Sequence, residues 1–489
     1  MKSLIVAVAL LALVAGPTRA QPSSAEDRAH IAAIENGLLP AVVIKGRPFP
    51  AATLDGRMRA TKTPGVSIAF FEDGRIRWTR TYGLADVASG RPVTAETLFQ
   101  AASISKPVAA TAALRLMQDG RLSLDDDVNM QLKDWRLPDS AFTADRKVTL
   151  RGLLSHTAGL TVSGFPGYPP GGALPEVVQI LNGQAPANTR AVISNAVPGA
   201  RWSYSGGGYT VVQQMMTEAT GKPFPDVMRD LVLKPAGMSR STFAQPLPES
   251  LGGQAATGYL ANGQPLPGLR YAHPELAAAG LWTTPSDLAR FAIALQNAHA
   301  GSSRKILNQA TARTMLTRQM SNYGLGPNLG PAEGPAMFQH GGSNQGFRSE
   351  LRAFTSGSRQ GVVIMANGDG ADVLIGEIRR AVAQAYGWKG SGPEERTVVQ
   401  VEPTVLSTYL GLYEVPGLTT LNVTAADGRL YVAASALGPD SRELLAASPA
   451  KFFVLENGVT IEFVKDAQGV ATTAKIGGPF GAYEATRKP

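Results

Sequence analysis

Ser103 and Lys106 stand three residues apart, just ahead of the apolar run from Val108 to Met117. The run has the period of an amphipathic helix, and side chains three positions apart on a helix lie on one face, about 5–6 Å apart at Cβ. A lysine can then reach the serine hydroxyl, and burial would lower the pKa of the lysine until its neutral amine accepts the hydroxyl proton. A helix N-terminus also offers backbone N–H groups to an oxyanion. The pair predicts a serine nucleophile with a lysine base; the alternative is that Ser103 or Ser105 only caps the helix.

The spacing of serine and lysine is weak evidence by itself, because it recurs at Ser302–Lys305 and Ser448–Lys451. Ser302 lies in a Gly-Ser-Ser-Arg loop, and Ser448 precedes a proline in a turn between two predicted strands. Only Ser103 has a strong amphipathic run behind it. Its position relative to a helix therefore selects Ser103 as the candidate nucleophile.

A tyrosine beside a glycine run is the second candidate, at Tyr204-Ser205 followed by Gly206 to Gly208. Consecutive glycines allow close backbone approach and unusual dihedral angles. A phenol just before them can project into a cleft and shuttle a proton. The alternative is a plain glycine turn with a half-buried tyrosine.

The third candidate is His340-Gly341-Gly342-Ser343, which comes just before a predicted strand. A glycine-rich strand beside a pocket leaves backbone groups open to pair with an extended substrate. His340 could act on the substrate there; the alternative is a structural histidine.

The composition and the absence of several motifs exclude some classes of catalytic site and of binding partner. The 489 residues include no cysteine, which excludes disulfides, a thiol nucleophile, Cys-ligated zinc and Fe–S clusters. The sequence has no G-x-S-x-G, H-E-x-x-H or Walker A motif. The net charge is +8, but the basic residues are scattered, whereas a nucleic-acid footprint would cluster them. We therefore expect no metal, no cofactor and no nucleic-acid partner.

Together, the three candidate motifs resemble the serine β-lactamase and penicillin-binding-protein superfamily in their order and spacing. The nearest branch is the class C β-lactamase-related group, which includes DD-peptidases, D-aminopeptidases and esterases. The resemblance covers about residues 30–388. Three further stretches also resemble this group: Leu153–Leu160, Gly280–Leu288 and Tyr323–Gly326. The first contains His156, which we interpret as part of a fold signature without a catalytic role.

The resemblance implies a role for each motif. Ser103 would be the nucleophile, while Lys106 and Tyr204 would share the roles of general base and acid in an order left open. The backbone N–H groups of Ser103 and Ser343 would form the oxyanion hole. His340 would orient the substrate or assist proton transfer. The glycines expected to contact the substrate are Gly206, Gly341 and Gly342.

Two positions depart from the family pattern. Gly206 stands where the middle motif usually has an asparagine, whose amide helps bind the acyl side chain of β-lactams in relatives. His340 stands where class C β-lactamases have a lysine. The first departure disfavours efficient β-lactam hydrolysis. The second disfavours a strictly carboxylate-seeking site, because the charge of a histidine is conditional near neutral pH, and it resembles the D-aminopeptidase and esterase side of the group.

The elements that must position these motifs follow from the hydrophobic pattern. Val66–Phe70 alternates, Asp73-Gly74 is a type I′ turn signal, and the alternation resumes at Ile76. Helical periods fill about residues 103–297, and strands return at Ser349–Phe354 and at residues 361–366, before a helix near residues 371–386. The pattern predicts an α+β fold, with an antiparallel sheet flanked by helices and a helical insertion, as in β-lactamases and transpeptidases.

Four segments follow from the same reading. Lys2, the apolar stretch from Leu4 to Gly16 and Thr18-Arg19-Ala20 predict a cleaved signal peptide over residues 1–20, and hence a periplasmic or secreted protein without a membrane span. The hydrolase domain would span residues 21–388, and a linker 389–402. Six or more short strand-like runs, the last at Ala471–Ile476, predict a small all-β barrel over 403–489. It resembles the lipocalin-like barrel appended to many of these hydrolases, with Tyr409–Tyr413 as its opening strand.

The sequence thus predicts an exported serine hydrolase that forms an acyl-enzyme with an ester or with an amide or peptide containing a D-amino acid. The alternatives are a class C-like β-lactamase or DD-carboxypeptidase and, outside enzymes, a sensor that binds peptidoglycan fragments. We expect a small-molecule or peptide substrate; the sequence leaves the oligomeric state open.

Overall fold

The computed structural model describes residues 24–49, 52–415, 419–434, 441–478 and 481–488. The predicted signal peptide, residues 1–20, lies outside these ranges. Within them, no helix combines the length and the apolar character needed to cross a membrane.

A six-stranded antiparallel sheet forms the centre of the first part of the chain, with strand order β4-β3-β2-β9-β8-β7. Strands β1 and β10 form a separate parallel pair, and β5 and β6 form a separate antiparallel pair. The strands are β1 (Val42–Ile44), β2 (Gly65–Glu72), β3 (Arg75–Asp86), β4 (Arg91–Pro92), β5 (Phe99–Gln100), β6 (Trp282–Thr283), β7 (Met337–Asn344), β8 (Phe347–Phe354), β9 (Gly361–Ala366) and β10 (Glu394–Arg396).

Helices cover both faces of the sheet and fill most of the chain between β5 and β7. They are α1 (Ala25–Asn36), α2 (Leu54–Ala60), α3 (Ser105–Gln118), α4 (Val128–Gln131), α5 (Leu150–Leu154), α6 (Val177–Asn182), α7 (Gly206–Thr220), α8 (Phe224–Met228), α9 (Lys234–Ala236), α10 (Glu249–Gly252), α11 (Leu276–Ala279), α12 (Pro285–Ala300), α13 (Gln309–Met315), α14 (Ala371–Ala385) and α15 (Pro403–Leu406). Three short 3₁₀ turns, Ala102–Ile104, Ala141–Thr143 and Ser407–Tyr409, and a π-helical turn, Arg229–Leu233, join them. This arrangement confirms the predicted α+β fold with a helical insertion.

The central strands are apolar throughout because both faces of the sheet are covered. On β2, Ile68 and Phe70 pack into the core beneath α1 and α14, whereas Ala69 and Phe71 pack into the core shared with α3 and α12. Side chains alternate between faces along a strand, so one segment supplies both cores. The predicted hairpin of β2 and β3 is confirmed: the strands pair in antiparallel register across Asp73 and Gly74. Both turn residues have positive φ, as a type I′ turn requires.

The described residues after β10 include a closed barrel of eight antiparallel strands, as the sequence predicted. Its strands are β11 (Gly411–Val415), β12 (Thr419–Ala426), β13 (Arg429–Ala433), β14 (Arg442–Ala446), β15 (Lys451–Phe453), β16 (Thr460–Lys465), β17 (Ala471–Gly478) and β18 (Gly481–Arg487). Aromatic rings fill the interior: Tyr409 stacks on Phe463 at 4.5 Å between ring centroids, and Tyr413 and Phe452 pack beside them.

The sequence analysis differed from the barrel at both ends. Tyr409 was expected in the opening strand, but it lies in a 3₁₀ turn, and β11 begins at Gly411. The closing strand β18 was missed, because glycine is a poor strand former and Gly477, Gly478 and Gly481 flank its turn. Its partners on both sides, β11 and β17, supply what local propensity lacks.

Candidate active site

Ser103 lies in the 3₁₀ turn that leads into α3, and Lys106 lies in the first turn of that helix. The Nζ atom of Lys106 is 3.1 Å from the Oγ atom of Ser103 and donates a hydrogen bond of 2.8 Å to the backbone oxygen of Ala278. The N-cap position of α3 is Ile104, which provides no side-chain cap. The hydroxyl of Ser103 is therefore directed at the lysine amine rather than used for capping.

Lys106 is 2% exposed, and burial lowers the pKa of its amine to about 7. Burial is the only cause, since no carboxylate offsets the loss of hydration. A large share of the amine is thus neutral near pH 7. In that state it can donate to Ala278 and still accept the proton of Ser103.

Tyr204 completes a group of three side chains, because it lines the same cleft as Ser103 and lies beside Lys106. Its ring centroid lies 4.9 Å from the Nζ atom of Lys106. Burial raises the pKa of the phenol, so Tyr204 keeps its proton at neutral pH. The position of the ring is fixed by α7, whose N-cap Ser205 accepts a hydrogen bond from the backbone of Gly208.

His156 also lies in this site, although the sequence analysis gave it no catalytic role. Its Nδ1 atom accepts a hydrogen bond of 3.1 Å from the backbone N–H of Ser205, and its ring centroid is 4.2 Å from that of Tyr204. Burial and the nearby Lys106 hold the pKa of His156 well below its usual range. A neutral, buried imidazole thus supports the ring of Tyr204. No spacing rule could have found this contact, since it joins residues 48 positions apart.

Strand β7 forms the opposite wall at the free edge of the sheet. Gln339 exchanges both backbone hydrogen bonds with Asn328 on this outer edge, at 2.8 and 3.0 Å. Alternate residues of an antiparallel strand direct their backbone groups to the same side, so Gly341 and Ser343 also direct theirs outward. The N–H of Ser343 therefore faces the edge where Ser103 lies.

His340 is buried beside the lysine and is neutral. Its Nδ1–H donates to the backbone oxygen of Gly341 at 2.6 Å, since a carbonyl can only accept. Burial and the charge of Lys106 lower the pKa of the imidazole to about 4. Its Nε2 atom is buried and has no hydrogen-bond partner among the described residues.

Gly206 is buried behind Phe165. A Cβ atom built on Gly206 would lie 2.7 Å from the ring of Phe165. The asparagine of the family motif would therefore not fit here without movement of that ring. Gly206 is also absent from the residues that line the cleft.

One cavity of about 1170 Å³ joins the other predicted positions. Ser103, Tyr204 and His340 line it together with Gly341 to Ser343. From there the cavity continues over β7 toward β8, α14 and the loop of the barrel at residues 456–458.

The other residue patterns do not form comparable sites. Lys305 and Lys451 are exposed, and the hydroxyl of Ser302 donates to the backbone of Asn297 instead. In the part of the chain that the structure describes, no group of three or more His, Asp or Glu side chains is arranged to hold a metal ion.

Comparisons with known proteins agree with this geometry. The family model described as Beta-lactamase matches residues 51–387, and one described as a domain of unknown function (DUF3471) matches residues 395–484. Esterase EstB of Burkholderia gladioli is 32% identical over 249 residues, which cover 48% of this chain and 61% of the esterase. A D-aminopeptidase of Brucella anthropi is 23% identical over 428 residues, 85% of this chain and 76% of that protein. The octameric penicillin-binding protein homologue from Pyrococcus abyssi has the same fold, with a TM-score of 0.56 at 20% identity over 89% of this chain and 98% of its own.

Proposed function

Because the chain belongs to the beta-lactamase family of serine hydrolases, we propose that it cleaves esters, or amides and peptides of D-amino acids, through an acyl-enzyme on Ser103. The observation that carries the proposal is the 3.1 Å contact between Lys106 Nζ and Ser103 Oγ, with Tyr204 beside them in one cleft.

The directions of the two pKa shifts support Lys106 as the acceptor in the first proton transfer. Its neutral amine takes the proton of the Ser103 hydroxyl while Oγ forms a bond to the substrate carbonyl carbon. The phenol of Tyr204 is protonated, so it donates rather than accepts at this stage. When the tetrahedral intermediate collapses, the proton held by Lys106 passes through Tyr204 to the leaving alcohol or amine. Water then attacks the acyl carbon while Lys106 accepts its proton. As the bond between Oγ and the acyl carbon breaks, Lys106 returns this proton to Ser103 and the acid product leaves.

The backbone N–H groups of Ser103 and Ser343 stabilise the oxyanion in this proposal. The outward direction of the Ser343 amide on the free edge of β7 supports its part. The neutral His340 lines the cleft, and in this proposal it orients the substrate or assists proton transfer.

Two features favour ester and D-aminoacyl substrates over β-lactams. Phe165 occupies the space of the motif asparagine beside Gly206, and His340 supplies no cation for a β-lactam carboxylate. The printed names of two relatives, an esterase and a D-aminopeptidase, support the same choice.

A substrate panel of p-nitrophenyl esters, D-aminoacyl amides, D-Ala-D-Ala peptides and nitrocefin tests the proposal. We expect turnover of an ester or D-aminoacyl amide, loss of at least about 10³-fold of it in Ser103→Ala, and a fluorophosphonate label on Ser103. The matched control is Ser302→Ala, which removes a serine with the same spacing to a lysine and should change nothing. A label on another serine, or activity that survives in Ser103→Ala, would refute the assignment, and binding of D-Ala-D-Ala peptides without turnover of any substrate would favour the sensor.

A further inference from the structure

The part of the cavity remote from Ser103 is lined by charged side chains on the outer face of the sheet. Glu350 and Arg352 on β8 lie there with Arg379 and Arg380 on α14. Strand register places Glu350 opposite Gly341 and Arg352 opposite Gln339. Glu350 thus lies beside Gly341, and Arg352 lies two residues, or about 7 Å, further along β8. A substrate that crosses Gly341 can therefore reach this charged group.

Positive charge exceeds negative charge in this group. Glu350 lies 3.0 Å from the Nε atom of Arg379 and 3.8 Å from that of Arg352, so two guanidinium groups share one carboxylate. The Nε atom of Arg380 donates to the backbone oxygen of Leu39, and no carboxylate among the described residues lies within ion-pair distance of Arg380. The nearby Glu377 is engaged by Arg57 through two hydrogen bonds.

These guanidinium groups are also poorly solvated. The Nε atom of Arg352 is buried and has no hydrogen-bond partner within the described ranges. Arg380 is 7% exposed. Burial lowers the pKa of Arg352 and of Arg380 to about 10, against a usual value of 12.5. Buried cations without matching anions favour the arrival of an anion.

This basic group and Ser103 line one continuous cavity. A Cβ atom added to Gly341 would meet only the backbone oxygen of Ser349, at 3.8 Å, so the edge of β7 is open at this point. On the far side, Arg442, Glu456 and Gly458 of the barrel line the same cavity. Arg442 Nη1 and Glu456 Oε1 form an ion pair at 3.5 Å, so their two charges offset each other. The net positive charge therefore comes from the side of the hydrolase.

We propose that Arg352, Arg379 and Arg380 bind a carboxylate that the substrate carries away from its scissile bond. This inference rests on the proposed function and narrows it, because the preferred substrates are then acidic esters or acidic D-peptides.

Matched pairs of esters test the inference. One pair is the mono-p-nitrophenyl ester of suberic acid and p-nitrophenyl octanoate, which places the carboxylate on the acyl side. The other is the butyrate ester of 4-(4-hydroxyphenyl)butanoic acid and that of its methyl ester, which places it on the leaving side. We expect kcat/KM to favour the acid over its neutral match at least about tenfold in one pair, as for truncated partners of a desolvated charge pair.

Three variants test which residues cause the preference for the acidic ester. The measured quantity is the ratio of kcat/KM for the acid to kcat/KM for its neutral match. Arg379→Gln and Arg352→Gln should bring the ratio toward one, whereas Glu350→Gln should raise it, because it removes the anion that competes for the guanidinium groups. The control is Arg429→Gln, which removes an exposed barrel arginine outside the cavity and should leave the ratio unchanged. A ratio near one in the wild type for both pairs, or ratios unchanged in both arginine variants, would overturn the inference. Failure of the proposed function is distinct, since no neutral ester would then turn over above the Ser103→Ala blank.

Discussion

Lys106 is the base of the proposed mechanism, and it suits that role because it is a buried amine without a carboxylate partner. A salt bridge would stabilise its charge and keep it protonated. Here the only contacts of its Nζ atom that the structure gives are polar or aromatic: Ser103, the backbone of Ala278 and the rings of Tyr204 and Tyr209. Such surroundings solvate an ammonium poorly and leave a neutral amine free to act as a base.

The pH dependence of the reaction follows from this environment. We expect kcat/KM for a neutral ester to rise with pH and to level off above an apparent pKa near 7, because only the neutral amine of Lys106 can take the serine proton. Below that pKa the rate should fall about tenfold per pH unit. A pH profile with a non-ionising substrate measures this. An ascending limb near pH 4 would instead assign the essential base to His340, whose pKa is about 4.

Residue patterns led to Ser103, Lys106 and Tyr204 because each stands at a helix start or a glycine run, which are local signals. His156 carried no such signal. Its part depends on its left-handed backbone, with φ of 60°, and on a hydrogen bond to the distant Ser205. Phe165 was missed for the same reason, since only the folded chain brings its ring against Gly206. Contacts across loops depend on tertiary packing and produce no periodic pattern in the sequence.

At the scale of elements, the site depends on how closely β7 approaches the turn that carries Ser103. The hydroxyl of Ser349 on β8 donates to the backbone oxygen of Ala101, two residues before Ser103. The backbone N–H of Ala101 in turn donates to the oxygen of Leu281. Gly342 lies against the same point, where a Cβ atom would overlap the oxygen of Ala101 and the hydroxyl of Ser349.

The substitution Gly342→Ala should therefore separate β7 from the nucleophile. We expect a loss of about 1–3 kcal/mol in the free energy of unfolding, because neither the strand nor the 3₁₀ turn can move aside freely. The matched control for stability is Gly341→Ala, whose added methyl enters open space on the other face of the strand. Urea unfolding of both variants measures the difference. Equal stability of the two would show that the close packing of Gly342 is unimportant.

The elements themselves were predictable where pattern and turn chemistry agreed. The hairpin of β2 and β3 followed from alternation around Asp73-Gly74. The short pair β1 and β10 was not predicted, because three-residue strands are too short for a periodic signal. Residues 394–396 of β10 fall within the segment expected to be a linker, and they pair in parallel with Val42–Ile44. Such pairing joins segments 350 residues apart and depends on the fold around it.

At the scale of the whole molecule, this parallel pair also fixes the barrel against the hydrolase part. The backbone N–H of Val42 donates to the oxygen of Leu455 in the barrel at 3.3 Å. The guanidinium of Arg396 lies over the ring of Phe453 at 5.0 Å and close to the backbone oxygen of Gly458. The loop that these contacts hold, residues 456–458, is the part of the barrel that lines the cavity. The barrel thus forms part of the wall of the cleft.

Arg396 is the residue that best tests this coupling, because its backbone pairs with β1 while its guanidinium contacts the barrel. Replacing Arg396 with alanine removes the cation–π contact, the hydrogen bond toward Gly458 and the ion pair with Glu394 on its own strand, at a cost of about 1–2 kcal/mol. We expect the wild type to melt in one calorimetric transition and Arg396→Ala to melt in two, with the barrel first, because the remaining backbone pairing is short. Arg429→Ala is the control, since it removes a barrel arginine that pairs only with Glu443 on the barrel surface. A single, unshifted transition in Arg396→Ala would show that the barrel is held by other contacts and that its loop lines the cleft without help from this residue.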